Sequence, residues 1–305
     1  MNDPDFGFAS AVDSPIPYIQ RIRSYYVGLG YGAPYEWAHY IDVPFQPLRQ
    51  PLSQSRVVLV TTAAPYQPGK GDQSAGAPYN AAAKFFSVYS GNSAGEHDLR
   101  NAHVAIDRQH KINDQGAYFP LAALHRAAAS GRVGSLAPRF HGLPTNRSHR
   151  TTLNADIPEL VARCKADAAD AAILVPNCPV CHQSVSLAAR ALEESGIASV
   201  IMGCAKDIVE YVGVPRLLFS DLPLGNAAGK PGDPASQDFM LDLALRVLES
   251  APAARTTVQS PLKWSPDSRW KLDYSNIEQM TPEEIAQRRA EFDRQKDIAH
   301  QIKLT

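Results

Sequence analysis

Between residues 56 and 250, short β-rich apolar runs alternate with stretches whose apolar residues recur every three or four positions, and few architectures accept that order. The runs 56–62, 103–107, 134–140, 171–175, 198–202 and 217–220 predict strands. Helical patterns at 121–129, 157–168, 184–195 and 206–212 separate most of them, and another at 237–250 follows the last. In 184–196, for example, Val185, Ala188, Ala189 and Leu192 share one face, and Gly196 supplies a left-handed stop. Neighbouring parallel strands need a crossover of a dozen or more residues, which these helices provide. The expected fold is α/β: a mostly parallel, doubly wound sheet with crossover helices, plus an aromatic N-terminal arm and a C-terminal helix.

Residues 1–50 are expected to form that arm, packing on the core or on a partner subunit, because Tyr18, Tyr25, Tyr26, Tyr31, Tyr35, Trp37 and Tyr40 are too apolar for a free tail. Residues 51–255 are read as the catalytic core. Residues 256–305 are read as an extension ending in a polar helix, opened by the capping box of Thr281 and Glu284 with Pro282 at the first helical position. Its sparse apolar residues suit a surface or dimer-bracing helix. The segment 65–83, rich in Gly and Pro, predicts a long loop after the first strand, placed where loops often close over ligands.

In sheets of this class, reactive groups gather where the carboxyl ends of strands meet helix N-termini. Thr61, Thr62, His141, Cys178, Cys204 and Asp221 are all expected at such ends. The densest chemistry is the run Pro176-Asn177-Cys178-Pro179-Val180-Cys181-His182-Gln183, set between an apolar strand and a helix. A thiol held there faces the positive end of the peptide dipoles, which favours its thiolate. Three explanations fit the pair. In the preferred one, Cys178 is the nucleophilic thiol, Cys181 its resolving partner and His182 a proton carrier. Alternatively, the Cys-x-x-Cys-His order suits c-type haem attachment, or zinc held by Cys178, Cys181 and His182, although no second Cys-x-x-Cys supplies a further pair of ligands. The third explanation is inert packing. Cys164, inside a helix, is read as structural, and Cys204 as a small buried hydrophobe that comes near the pair if the two strands are neighbours. Among the other candidates, Thr61 and Thr62 are proposed donors, and Arg139 a clamp for a substrate carboxylate beside His141. His97, Asp98, His103, Asp107, His110 and Asp114 are dense in ligand types but match no closed zinc spacing, and are read as solvated loop residues. Around Gly69-Lys70-Gly71 the hydroxyl residue and the upstream Gly of a phosphate loop are missing, so nucleotide binding is rejected there.

Residues 57–62, 113–120, 134–139 and above all Cys178-Pro179-Val180-Cys181-His182-Gln183 resemble the selenoprotein B family of glycine, sarcosine, betaine and D-proline reductases. The resemblance runs from about Pro15 to about Ser250. In the D-proline reductase member, selenocysteine stands where Cys178 stands here. The resemblance therefore implies that Cys178 attacks and Cys181 resolves during reductive cleavage of a carbon–nitrogen bond. Two departures matter. Sulfur replaces selenium, and those reductases work with a separate pyruvoyl-bearing subunit that nothing in this chain replaces. A thiolate without that carbonyl suits a softer electrophile, so a C–S cleaving desulfhydrase acting on a thiohydantoin-like ring is an alternative. A non-catalytic thiol redox sensor is another.

The remaining expectations follow from bulk properties. With 305 residues, 44% of them hydrophobic, the chain can bury a large core without disulfide staples, and four cysteines are too few for a secreted framework. Thirty basic against 31 acidic residues give a net charge of −1, which points away from nucleic acid and anionic membranes and toward a small-molecule substrate. A cytoplasmic homodimer without a bound cofactor, recharged by an external thiol or dithiol reductant, is expected.

Overall fold

The computed structural model describes residues 13–67, 69, 83–101, 103, 107 and 114–304, with the side chains at 299, 302 and 304 left aside. The fold is α/β, and its strands are β1 (Arg56–Thr61), β2 (Ala64–Pro65), β3 (Tyr89–Asn92), β4 (Leu99–Arg100), β5 (Ser135–Leu136), β6 (Arg139–Gly142), β7 (Ala171–Val175), β8 (Ala198–Gly203), β9 (Arg216–Phe219) and β10 (Thr256–Gln259). The main sheet runs β10-β9-β8-β7-β1-β6-β3, with β5 also against β1. All its pairings are parallel except β3 with β6 at the edge. The helices are α1 (Tyr18–Gly28), α2 (Leu121–Ala129), α3 (His149–Thr151), α4 (Ile157–Ala166), α5 (Pro179–Glu194), α6 (Lys206–Val212), α7 (Pro234–Ser250) and α8 (Pro282–Leu304).

The central strands are buried on both faces, which is why they read as unbroken apolar runs. Val57, Leu59, Ile173, Val200 and Met202 pack toward α1, α2 and α7, while Val58, Val60, Ala172, Leu174 and Ile201 pack toward α4 and α5. Full burial of such a side chain contributes about 1.5–3 kcal/mol, so this stack fixes the register from β1 to β8. The chain leaves β1 for β6 on one side and returns to β7 on the other before running on to β10. The carboxyl ends of β1 and β7 therefore flank the crevice where such sheets bind ligands.

Several boundaries differ from the sequence reading. The run 134–140 splits into β5 and β6 because Pro138 lacks an N–H for the ladder. Helix α5 starts at Pro179, not 184, because Pro fits the first helical position and Cys178 caps it; α7 likewise starts at Pro234 behind Asp233. The strand β10, from residues assigned to the C-terminal extension, joins the core sheet beside β9. Residues 104–106 of the expected strand at 103–107 and most of the loop at 65–83 lie outside the described residues, as do His110, Lys70 and Gly71.

The arm packs on its own core. Tyr18 and Ile22 of α1 are buried in it, Ile19 N donates to Asp207 at 2.8 Å, and Tyr18 meets the Tyr274 ring edge-on at 5.1 Å. The capping box of α8 is formed: Thr281 N donates to Glu284 Oε2 at 2.8 Å and Glu284 N to Thr281 Oγ1 at 3.2 Å. Helix α8 is fastened to the arm through Phe292, which packs on Tyr26 and Tyr31, and through the Arg289 guanidinium, 3.8 Å above the Tyr31 ring. Among the described residues no helix is long and apolar enough to cross a membrane.

Candidate active site

Cys178 has extended backbone and caps α5, its sulfur accepting from Cys181 N at 3.2 Å. Cys178 and Cys181 are joined as a disulfide with their Cα atoms 4.9 Å apart. Thr145, in the loop after β6, donates its hydroxyl to Cys181 Sγ at 3.2 Å. The approach to the pair is set from β1: Thr62 Oγ1 accepts from Asn177 N at 3.0 Å, and Thr61 Oγ1 accepts from Ala63 N at 3.1 Å. Both threonines accept here where donors were expected: Thr62 ties the strand end to the Pro176–Asn177 turn, and Thr61 braces the end of its own strand.

A cavity of about 680 Å³ opens over Cys178, Pro179 and Val180. Its walls come from the arm (Ile22, Tyr26, Tyr31, Tyr35), from Lys84 and His103, from Thr145, Arg147 and His149, and from Phe292, Gln295 and Lys296 of α8. Both flanks of the chain therefore help build the site. Gln183 ties the arm to the motif: its Oε1 accepts from Ala38 N at 2.7 Å, and its Nε2 donates to Tyr35 Oη at 2.6 Å and lies 2.9 Å from His149 Nε2.

The lining is cationic. Lys84, Arg147 and Lys296 face a single carboxylate, Glu36. Burial lowers Lys84 to about 8, and the charges of Arg147 and Lys303 add to the effect. Arg147 holds a left-handed backbone, φ 56°, rare for a side chain of its size, and lies between Tyr26 and Tyr35 at 5.7 and 5.9 Å from their ring centres.

His182 is at the motif but not at the cavity. Its Nδ1 lies 2.8 Å from Cys178 O, and its Nε2 accepts from Cys204 N at 2.9 Å and Ala205 N at 3.1 Å. Both nitrogens are spent, and burial pushes the ring down to about 4, so His182 is a neutral brace between α5 and the β8 end; the expected proton carrier is corrected accordingly. Cys204 is buried beside that brace and absent from the lining, its thiol raised to about 12 by burial. Arg139 opens β6, at the opposite end of the sheet from the cavity. It makes a bidentate pair with Asp167 at 2.8–3.1 Å, so it is not a substrate clamp. His141 is buried between Ser90 Oγ at 2.9 Å and Asp167 Oδ2 at 3.2 Å. Asp221 pairs with Lys271 in a separate pocket of about 230 Å³.

Sequence reading missed His103, Lys84, Thr145, Arg147 and His149. Although its sequence context predicts a solvated loop residue, His103 is buried and within reach of the cysteines, with its Nε2 3.0 Å from Thr62 O. Burial, opposed by that carbonyl, lowers it to about 4. The only signal available was its place in a ligand-rich stretch; the others carried none.

This environment sets thiol reactivity. After mild reduction, iodoacetamide at pH 7 should label Cys178, which lines the cavity, while Cys164 and Cys204, both raised to about 12 by burial, should react only on unfolding. Peptide mapping reads the order, and early labelling of Cys204 would contradict it.

The chain is similar to the gamma subunit of D-proline reductase from Acetoanaerobium sticklandii, 28% identical over 220 residues that cover 72% of this chain and 88% of that subunit. It is a distant homologue of that reductase subunit. No family model and no solved structure matches the chain.

Proposed function

We propose that the protein is a dithiol reductase that cleaves a carbon–heteroatom bond next to a carboxylate in a small molecule. The observation that carries this reading is the Cys178–Cys181 pair at the helix start, with Cys178 opening into a cavity lined by Lys84, Arg147 and Lys296. The distant likeness to a D-proline reductase subunit supports a reductase of related chemistry.

In this scheme the substrate carboxylate sits against Lys84 and Arg147, and the Cys178 thiolate attacks the adjacent carbon and expels the heteroatom with its bonding pair. Cys181 then attacks Cys178 Sγ. The disulfide forms, the carbon–sulfur bond breaks, and its electron pair remains on carbon as an enolate-like anion that takes a proton from solvent. The neighbouring cations stabilise that charge. Two electrons pass from the dithiol to the substrate, and an external dithiol restores the pair by exchange. Thr145 assists by donating to Cys181 Sγ, which favours its thiolate.

The experiment is a single turnover. Reduced protein, freed of reductant under anaerobic conditions and given α-substituted carboxylates, should form one equivalent of reduced product and one Cys178–Cys181 disulfide per chain. Product without disulfide would mark a hydrolase and reject the scheme. Because Lys84 loses its charge as pH rises through about 8, KM should increase above that pH, and Lys84→Met should raise KM at low pH and flatten the profile.

A further inference from the structure

Three soft or borderline donors converge beside the cavity. The donor atoms of His103, Cys178 and Cys181 all lie within 4.8 Å of one another, and all three residues are buried. Two come from the first turn of α5 and the third from the segment after β4, so the fold, not the local sequence, assembles the set. When His103 Nε2 donates to Thr62 O, the lone pair stays on Nδ1; metal-binding imidazoles are commonly oriented by a backbone carbonyl on one ring nitrogen, which leaves the other to ligate. A tetrahedral Zn2+, with bonds of about 2.3 Å to sulfur and 2.0–2.1 Å to nitrogen, holds such donors roughly 3.5–3.8 Å apart. Opening the disulfide releases the two sulfurs to reach that spacing.

We propose that the reduced protein binds one Zn2+ through Cys178 Sγ, Cys181 Sγ and His103, with a fourth position open to the cavity. Two thiolates and an imidazole select zinc over Mg2+ or Ca2+, which need oxygen ligands. Three protein ligands and one open position is the pattern of zinc sites that accept an exogenous ligand. The two thiolates neutralise the ion, so Lys84, Arg147 and Lys296 on the cavity wall do not repel the complex but favour an anion at the fourth position. The third ligand differs from the zinc set suggested by sequence, since both nitrogens of His182 are engaged elsewhere.

The chemistry balances without a change in the metal's oxidation state. A dithiol reductant converts the disulfide to two thiols and leaves as its own disulfide, and Zn2+ then displaces the two thiol protons. Metal and disulfide are mutually exclusive on the same sulfurs, so zinc would hold the pair reduced and out of any redox cycle. The site stands whether or not the pair acts on a carboxylate substrate.

The test uses the full chain in both redox states. Reduced protein, stripped of reductant, is titrated with Zn2+ against a chromogenic chelator, with Co2+ as a spectroscopic substitute. Expected are one metal per reduced chain, none on the oxidised chain, thiolate-to-cobalt charge-transfer absorption, and failure of the zinc-loaded protein to re-form the disulfide in air. His103→Gln, whose amide Nε2 stands in for the ring Nε2 and keeps a donor for Thr62, should fold and lose about a hundredfold in affinity. Equal binding by oxidised and reduced protein, or wild-type affinity in folded His103→Gln, overturns the proposal. The redox arm needs no variant, so a misfolded substitution leaves the question decided.

Discussion

Cys178→Ser should abolish turnover, by at least about a thousandfold, in a chain that stays folded, because a serine hydroxyl at neutral pH lacks the ionised nucleophile that the helix start favours in a thiol. Cys181→Ser should behave differently. It keeps the attacking sulfur and loses the resolving one, so the substrate carbon stays on Cys178 as a thioether and the protein gains the mass of that fragment once. Mass spectrometry after mixing separates the two: no adduct for Cys178→Ser, a stable one for Cys181→Ser, and none persisting for the unaltered chain. Multiple turnovers by Cys181→Ser would remove the resolving role and with it the redox balance. These roles depend on how α5 begins. Its cap donates Cys181 N to Cys178 Sγ, so the two sulfurs are brought together by the same turn that polarises the first of them.

The largest expected effect on stability lies elsewhere, at a buried ion pair that anchors the arm. Arg216 opens β9 and Glu193 lies in the last turn of α5; their side chains are 1% and 0% exposed and 2.8 Å apart. Glu193 also accepts from Ser199 N and Oγ of β8 and from Gln46 N, while Arg216 donates to Gln46 O at 2.8 Å and lies 4.1 Å above the Phe45 ring. Arg216→Ala leaves that carboxylate uncompensated in the interior and should cost about 3–5 kcal/mol, read by urea unfolding. The double variant Arg216→Met with Glu193→Gln should lose less than the sum of the single losses, since it strands no charge. Additive losses, or a loss under about 1 kcal/mol for Arg216→Ala, would show that solvent reaches the pair. Loosening Gln46 should also loosen the arm that walls the cavity, raising KM more than it lowers kcat.

The core was legible because local rules and global fold agree there. The runs at 57–60, 171–175 and 200–202 are apolar on every residue since both faces are covered, and their spacing by helices leaves little besides a parallel sheet. The arm was harder: α1 lies inside a stretch read only as Pro-rich and aromatic, and its burial depends on α6 and the segment around Tyr274, far away in sequence. Edge strands β3 and β10 escaped for a related reason. They are four residues long, and none of their residues is buried, so they carry no apolar signature.

By itself, the sequence determined the α/β alternation, the crevice end of the sheet and the placement of Cys178 and Cys181 at a helix start, since strand, cap and helix occupy consecutive residues. Only tertiary structure decided what surrounds those sulfurs. It carries His103 to them, closes the cavity with Tyr35, Arg147 and α8, spends His182 as a brace on the β8 end, and sends Arg139 to the far end of the sheet. The physical reason is separation along the chain. A cap is satisfied by neighbours three residues away, whereas the walls of the cavity come from segments between positions 22 and 296, whose meeting depends on how the whole core packs.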